Sequence, residues 1–164
     1  MIQRLIGEDI QIIKKLSKKS GIIKADPNQI EQIFINLLIN ARDAIQDNIK
    51  ISSDKEITIA SEIKELSEKD AVSYPGAKPG RYVCFSVTDN GKGIPFEIRQ
   101  KIFDPFFTTK EKYSGTGLGL AMVYGIVKQN KGLIYVDSEI GKGTTFKIFW
   151  PETYGKPEED TQIQ

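Results

Sequence analysis

The stretch from Asp26 to Ile45 constrains this chain more than any other. Asp26 is a strong N-cap, Pro27 suits a first helical position whose N–H has no partner anyway, and Gln29 stands where a capping box needs its second member. Ile30, Ile33, Phe34, Leu37, Leu38, Ala41 and Ile45 then recur at helical spacing, so one face of this helix must be buried. Gln29, Asn36, Asn40 and Asp43 gather on an adjoining stripe about 60° wide at roughly 100° per residue. A helix with one apolar face needs a second layer to cover it, and the rest of the sequence supplies strands.

Glu8 to Leu16 mixes Ile10, Ile12 and Ile13 with polar residues in the manner of a strand, and the basic turn Lys18 to Gly21 follows. Ile57, Ile59 and Ile63 alternate with polar residues, as does Tyr82 to Val87, with a surface connection containing Pro75, Gly76, Pro79 and Gly80 between them. A short helix is expected after Pro95, and Phe103 to Gly117 has neither periodicity and reads as a long loop. Leu120, Val123, Ile126 and Val127 mark a helix over 118–129, and Leu133 to Val136 and Thr145 to Trp150 read as strands with Gly141 and Gly143 between them. The expected fold is a two-layer α/β sandwich, a mixed and mostly antiparallel sheet with about three helices on one face. Residues 1–151 form the expected domain and 152–164 a polar, loose tail.

A chain of 164 residues fits one such domain. Its 23 basic and 22 acidic residues nearly cancel, so no overall field draws it to nucleic acid or an anionic membrane, and any phosphate binding must be local. A lone cysteine, Cys84, rules out an internal disulfide and suits a reducing cytosol. No apolar stretch reaches the roughly 18 to 20 residues of a membrane span, and no signal-peptide core begins the chain, so a soluble, cytoplasmic domain without direct membrane contact is expected. The sequence has no histidine, which removes the commonest general base, the usual zinc ligand and every triad built on imidazole.

Four clusters carry chemistry on their residues alone. In Asn36-Leu37-Leu38-Ile39-Asn40-Ala41-Arg42-Asp43, amide oxygens at i and i+4 point the same way and suit a hard cation such as Mg²⁺; the same residues equally make a solvated helix edge. Asp89-Asn90-Gly91-Lys92-Gly93-Ile94-Pro95 comes straight off a strand. Its carboxylate can accept from an exocyclic amine such as that of adenine, and its glycines can let backbone approach a flat ring, although Asp-Asn-Gly is also a common turn. Gly115-Thr116-Gly117-Leu118-Gly119-Leu120 opens into a helix and offers bare N–H groups to phosphate, or close helix packing. It fits neither the P-loop nor the dinucleotide pattern. Gly141-Lys142-Gly143-Thr144-Thr145-Phe146 reads as a glycine-containing hairpin turn. Between the second and third clusters, Phe103-Asp104-Pro105-Phe106-Phe107-Thr108-Thr109-Lys110 places three phenylalanines beside the long loop, as core filling or as the anchor of a lid.

Taken in order, these clusters resemble the motifs of sensor histidine kinase catalytic domains. The segment 36–43 resembles the N box, 89–93 the first glycine box, 103–107 the F box, 115–119 the second glycine box and 141–146 the third. The resemblance covers roughly Gly7 to Pro151, and Asn-Ala-Arg-Asp-Ala with Phe-Phe-Thr-Thr-Lys is the pattern of the nitrogen-regulation-type and many hybrid kinases. It implies the fold shared with gyrase, the heat-shock chaperone and the mismatch-repair ATPases, with ATP between the helices and one face of the sheet. Asn40 is then expected to hold Mg²⁺ with Asn36 nearby, Asp89 to bind the adenine amine, Gly91 and Gly93 to shape the base pocket, and Thr145 to assist at the base. Gly115, Gly117 and Gly119 would wrap the phosphates, Lys110 would partner the terminal phosphate, and Asp43, Ile94, Phe103, Thr109, Thr116 and Leu118 complete the expected ATP site.

The resemblance also separates relatives. The ATP-hydrolysing and serine-kinase members carry a glutamate one turn before the metal-binding asparagine, where this chain has Asn36. An amide cannot take a proton, so hydrolysis is disfavoured and transfer to an outside acceptor is the expected reaction. With no histidine here, the acceptor is expected on a separate dimerisation domain of the same kinase, with a response regulator receiver domain downstream. The parent kinase is open to being membrane-anchored. Many members have a basic residue three positions and an aromatic four positions after that asparagine; here stand Asp43 and Ala44, with Arg42 a step earlier. A nucleotide-binding docking module without catalysis is the alternative from another class, and an ATPase or serine kinase the alternative within the fold.

Overall fold

The computed structural model describes residues 2–48, 54–108 and 118–154. In chain order the elements are α1 (Ile2–Ile6), β1 (Ile10–Lys15), α2 (Pro27–Gln46), β2 (Lys55–Leu66), α3 (Glu68–Ala71), β3 (Gly80–Asp89), a 3-10 turn (Phe96–Ile98), α4 (Gly119–Gln129), β4 (Leu133–Glu139) and β5 (Gly143–Pro151). The strands form one sheet in the order β1-β2-β3-β5-β4, with β1 parallel to β2 and the other neighbours antiparallel. The parallel pair requires a crossover, which α2 supplies.

Helix α2 starts as its sequence dictates: the Asp26 carboxylate accepts the Asn28 N–H at 2.8 Å. The expected capping box does not form with Gln29. Its side chain instead accepts from the Asn130 amide at 3.3 Å, a tertiary bond to the end of α4 that replaces the local one. Ile33, Leu37, Leu38, Ala41 and Ile45 are buried, and Ile30 and Phe34 are packed against them. They meet Val123 and Val127 of α4 and the sheet residues Ile57, Val87, Phe146, Ile148 and Trp150. Burying one such aliphatic side chain contributes roughly 1.5–3 kcal/mol, so this interface holds the two layers together.

The other face of the sheet carries a smaller cluster of Leu66, Tyr82, Cys84, Leu133 and Phe149, partly covered by Tyr74 and Ala77 from the β2–β3 connection. That connection is more ordered than its Pro and Gly content implies. It contains α3, capped by a reciprocal Ser67–Asp70 box, and stacks Tyr74 on Phe149 at 4.9 Å between ring centres. Burial pushes the Cys84 thiol up to about 12, which leaves it inert as a nucleophile. Helix α1 is too short to show a period in sequence. It is tied to α2 by Arg42, whose Nη1 donates to the Leu5 carbonyl at 2.9 Å. The helix expected after Pro95 is a single 3-10 turn.

Candidate functional site

Asp89 ends β3 on the helix-facing side of the sheet and is only 4 % exposed. Its carboxylate accepts the Gly91 N–H at 2.8 Å and the backbone N–H of Thr144. Desolvation pushes its pKa up to about 6, opposed by those two hydrogen bonds. A buried carboxylate with spare lone pairs is a strong acceptor for a ligand amine.

The glycines that follow act on protein backbone. A Cβ at Gly91 would lie 2.5 Å from the Ala44 carbonyl carbon, and the Lys92 N–H donates to the Ala44 oxygen at 2.9 Å. Gly93 has φ +76°, and a Cβ there would overlap the Glu139 carbonyl. Gly141 N–H in turn donates to the Lys92 carbonyl at 2.8 Å. The loop is therefore threaded between the last turns of α2 and the β4–β5 hairpin. The close approach expected toward a flat ring is, for both glycines, an approach to neighbouring chain. Ile94 packs against the core and donates its N–H to Ser138 Oγ at 2.7 Å.

Thr145 does not share the face of the sheet on which Asp89 lies. The β3–β5 register pairs Asp89 with Thr144, which is 4 % exposed on the helix side. Thr145 points to the other face, its hydroxyl 2.9 Å from that of Thr88. Alternation along β5 explains the placement: Phe146, Ile148 and Trp150 share the side of Thr144. The parity was hard to read because Phe149 is also buried, in the cluster on the far face.

On α2, Asn36 sits at the contact with α4. Its amide nitrogen lies 3.8 Å from Met122 Sδ, and a Cβ at Gly119 would lie 3.3 Å from its amide oxygen. Asn40 is one turn further along the same stripe and partly exposed. Asp43, the next member, is bonded by its neighbour Arg42 through Nε at 3.1 Å and Nη2 at 3.0 Å. Arg42 is thus bonded to both α1 and Asp43. Among the described residues no three His, Cys, Asp or Glu side chains cluster as a metal cage. The donors on the stripe are hard amide and carboxylate oxygens, few in number, and they fit Mg²⁺, which keeps several waters and takes few protein ligands.

Phe103 is held between Tyr124 of α4 at 5.4 Å and Phe146 of β5 at 6.3 Å. Phe107 also packs on the core, whereas Phe106 is 73 % exposed at φ +66°. The F segment is therefore anchored by two of its rings and turned outward at the third. Leu118 immediately precedes α4, and Gly119 begins it. Thr109, Lys110, Gly115, Thr116 and Gly117 lie outside the described residues. A cavity of about 220 Å³ lies on the far face, lined by residues such as Glu62, Cys84 and Lys147, and none of the motif residues borders it.

Asn36 thus meets the start of α4, and Asp89 meets Thr144 at the end of the sheet, on the side that α2 and α4 cover. Residues 25–154 match the family model described as histidine kinase-, DNA gyrase B-, and HSP90-like ATPase. The chain is 46% identical over 151 residues to the sensor kinase CckA of Brucella abortus, covering 92% of this chain and 15% of that protein. It is 38% identical over 129 residues to the sensor histidine kinase ZraS of Escherichia coli K12, covering 79% of this chain and 23% of that one. Among solved structures, full-length ShkA in complex with AMPPNP superposes with a TM-score of 0.70 at 25% identity, over 95% of this chain and 28% of that one. The nucleotide-free catalytic domain of histidine kinase ThkA gives 0.65 at 29%, over 92% and 82%. The chain therefore spans less than a quarter of the length of the two curated relatives.

Proposed function

The chain belongs to the histidine kinase-, DNA gyrase B- and HSP90-like ATPase family, and on that premise we propose that it binds Mg-ATP and transfers the γ-phosphoryl group to a histidine on a separate domain. The observation that carries the reading is the buried Asp89 carboxylate, held at the sheet end by the Gly91 and Thr144 N–H groups on the side of the sheet that α2 covers. In this reading Asp89 accepts from the exocyclic amine of adenine, Thr144 lies beside it, and Asn40, with Asn36 adjacent, holds Mg²⁺. The ion, when bound, offsets charge on the phosphate oxygens. Lys110 and the Gly115–Gly119 segment are assigned to the phosphates, Lys110 as a second charge-neutralising group. The acceptor imidazole nitrogen forms the new bond to phosphorus as the bond to the bridging oxygen breaks and ADP leaves.

Transfer is favoured over hydrolysis by Asn36. Where a carboxylate would take a proton from water, this position offers an amide lodged against Met122 and Gly119. The chain has no histidine, so the acceptor belongs to another domain, and the relatives' greater length leaves room for one, with a receiver domain as the onward partner. The test is to mix this chain with a histidine-bearing helical hairpin domain and labelled ATP. Acid-labile label on the hairpin is expected, with none on this chain. Nucleotide binding without any transfer would instead favour a docking module, and rapid phosphate release without the hairpin would favour an ATPase.

A further inference from the structure

The helix-facing side of the sheet ends in a polar rung. The register places Ser138 of β4 beside Thr144 of β5, and Thr144 beside Asp89 of β3, whereas the next rung inward is Val136, Phe146 and Val87. Three bonding partners meet at Ser138 Oγ: the Ile94 N–H at 2.7 Å, the Gly143 carbonyl at 3.0 Å and Thr144 Oγ1 at 2.7 Å. A proton count decides their directions. The carbonyl can only accept, so it receives the one serine proton. Ile94 donates into one serine lone pair, and Thr144 must donate its own proton into the other. The Arg99 guanidinium braces this corner by donating to the carbonyls of Ile94 and Ser138.

The consequence is chemical. With its proton committed to Ser138, Thr144 keeps only lone pairs to offer elsewhere, and its neighbour Asp89 offers only lone pairs too. We propose that Ser138 is a specificity-determining positioning residue: by capturing the Thr144 proton it keeps the base pocket acceptor-only, so that an amino-purine is taken and a keto-purine refused. The proposal rests on the reading that the base meets Asp89. Without the Ser138 oxygen, the Thr144 hydroxyl is free to turn and donate to a keto oxygen, and part of the discrimination is lost. A site built of buried polar groups discriminates because a mismatched ligand leaves one of them unpaired.

Calorimetric titration with Mg-ATP and Mg-GTP tests this, with circular dichroism melts to verify that each variant folds. Ser138→Ala is expected to lower the ratio of the GTP to the ATP Kd about tenfold, while Ser138→Thr, which keeps the hydroxyl, restores it. In a Thr144→Val background, Ser138→Ala is expected to leave the ratio unchanged, because the proton it governs is gone. Equal weakening of both nucleotides by Ser138→Ala would make Ser138 a brace only and overturn the proposal, as would the same ratio change in the Thr144→Val background. Should Ser138→Ala not fold, Ser138→Cys, with its weaker acceptor, carries the same comparison. A wild-type chain that binds Mg-ATP but shows no altered ratio in the variants refutes this inference alone; one that binds neither nucleotide refutes the proposed function as well.

Discussion

At the scale of single residues, Asp89 combines two opposed dependences on pH. Its folded pKa of about 6 stands above the ordinary 3.8, so in the nucleotide-free protein it adds stability fully below 3.8, and that stability is lost as pH rises through about 6. Between pH 8 and pH 5 the contribution is about 1 kcal/mol, and urea melts should show this slope shrinking in Asp89→Asn. Equal slopes in the two proteins would mean the carboxylate is not desolvated. Nucleotide affinity should move the other way, because an amine donates better to a carboxylate than to a carboxylic acid. Measured with adenosine, whose lack of phosphate removes a second titration, binding should weaken as pH falls through about 6. Asn40→Ala should weaken Mg-ATP by tenfold or more while leaving metal-free nucleotide binding nearly unchanged, on the order of what one charge-assisted contact contributes. Loss of both alike would remove Asn40 from the metal role.

At the scale of elements, the site depends on how closely the Asp89–Ile94 loop is seated. Gly91→Ala would drive a methyl group into the Ala44 backbone, and relief requires a shift of either α2 or the loop. The expected result is a stability loss of about 1–3 kcal/mol together with weaker nucleotide binding, read by thermal melts and calorimetry. Wild-type behaviour would show that the loop can move without cost. Ile33→Ala should lower stability by about 2–5 kcal/mol because the side chain is fully buried between α2 and the sheet. Urea unfolding measures this directly. The F segment is fixed by Phe103 against Tyr124 and Phe146, with Phe107 packed on the same core cluster.

At the scale of the whole molecule, the two layers and the site are one unit. The residues that face the nucleotide in the proposed reading come from α2, β3, α4 and β5, and all four share a single core cluster. Ligand binding should therefore stabilise the entire fold. At a Mg-ATP concentration a hundredfold above Kd, the gain is about 2.7 kcal/mol, visible as a rise in Tm of several degrees. No rise despite measured binding would indicate that nucleotide is held by a part that unfolds separately. A net charge of +1 supplies no general attraction for phosphate, so affinity should depend on salt only through the few groups at the site.

Sequence periodicity by itself determined α2, α4, all five strands to within about three residues at their ends, and the mixed sheet, because burial on one face imposes a period that survives without tertiary knowledge. The N-cap at Asp26 was legible for the same local reason, and Asn36 and Asn40 could be singled out on a polar stripe beside the apolar face, Asp89 as a carboxylate at a strand end before a glycine turn. What only the tertiary structure decided lay in contacts between elements distant in the chain. Gln29 turned from its own helix to Asn130, Gly91 and Gly93 proved to be spaced for Ala44 and Glu139, and Thr144 rather than Thr145 shares the face of Asp89 because cross-strand register, not composition, selects the face. Ser138 drew no notice at all: a lone serine in a strand carries no signal until its neighbours in space are known, and its role comes from three partners that β4 and β5 bring to one hydroxyl.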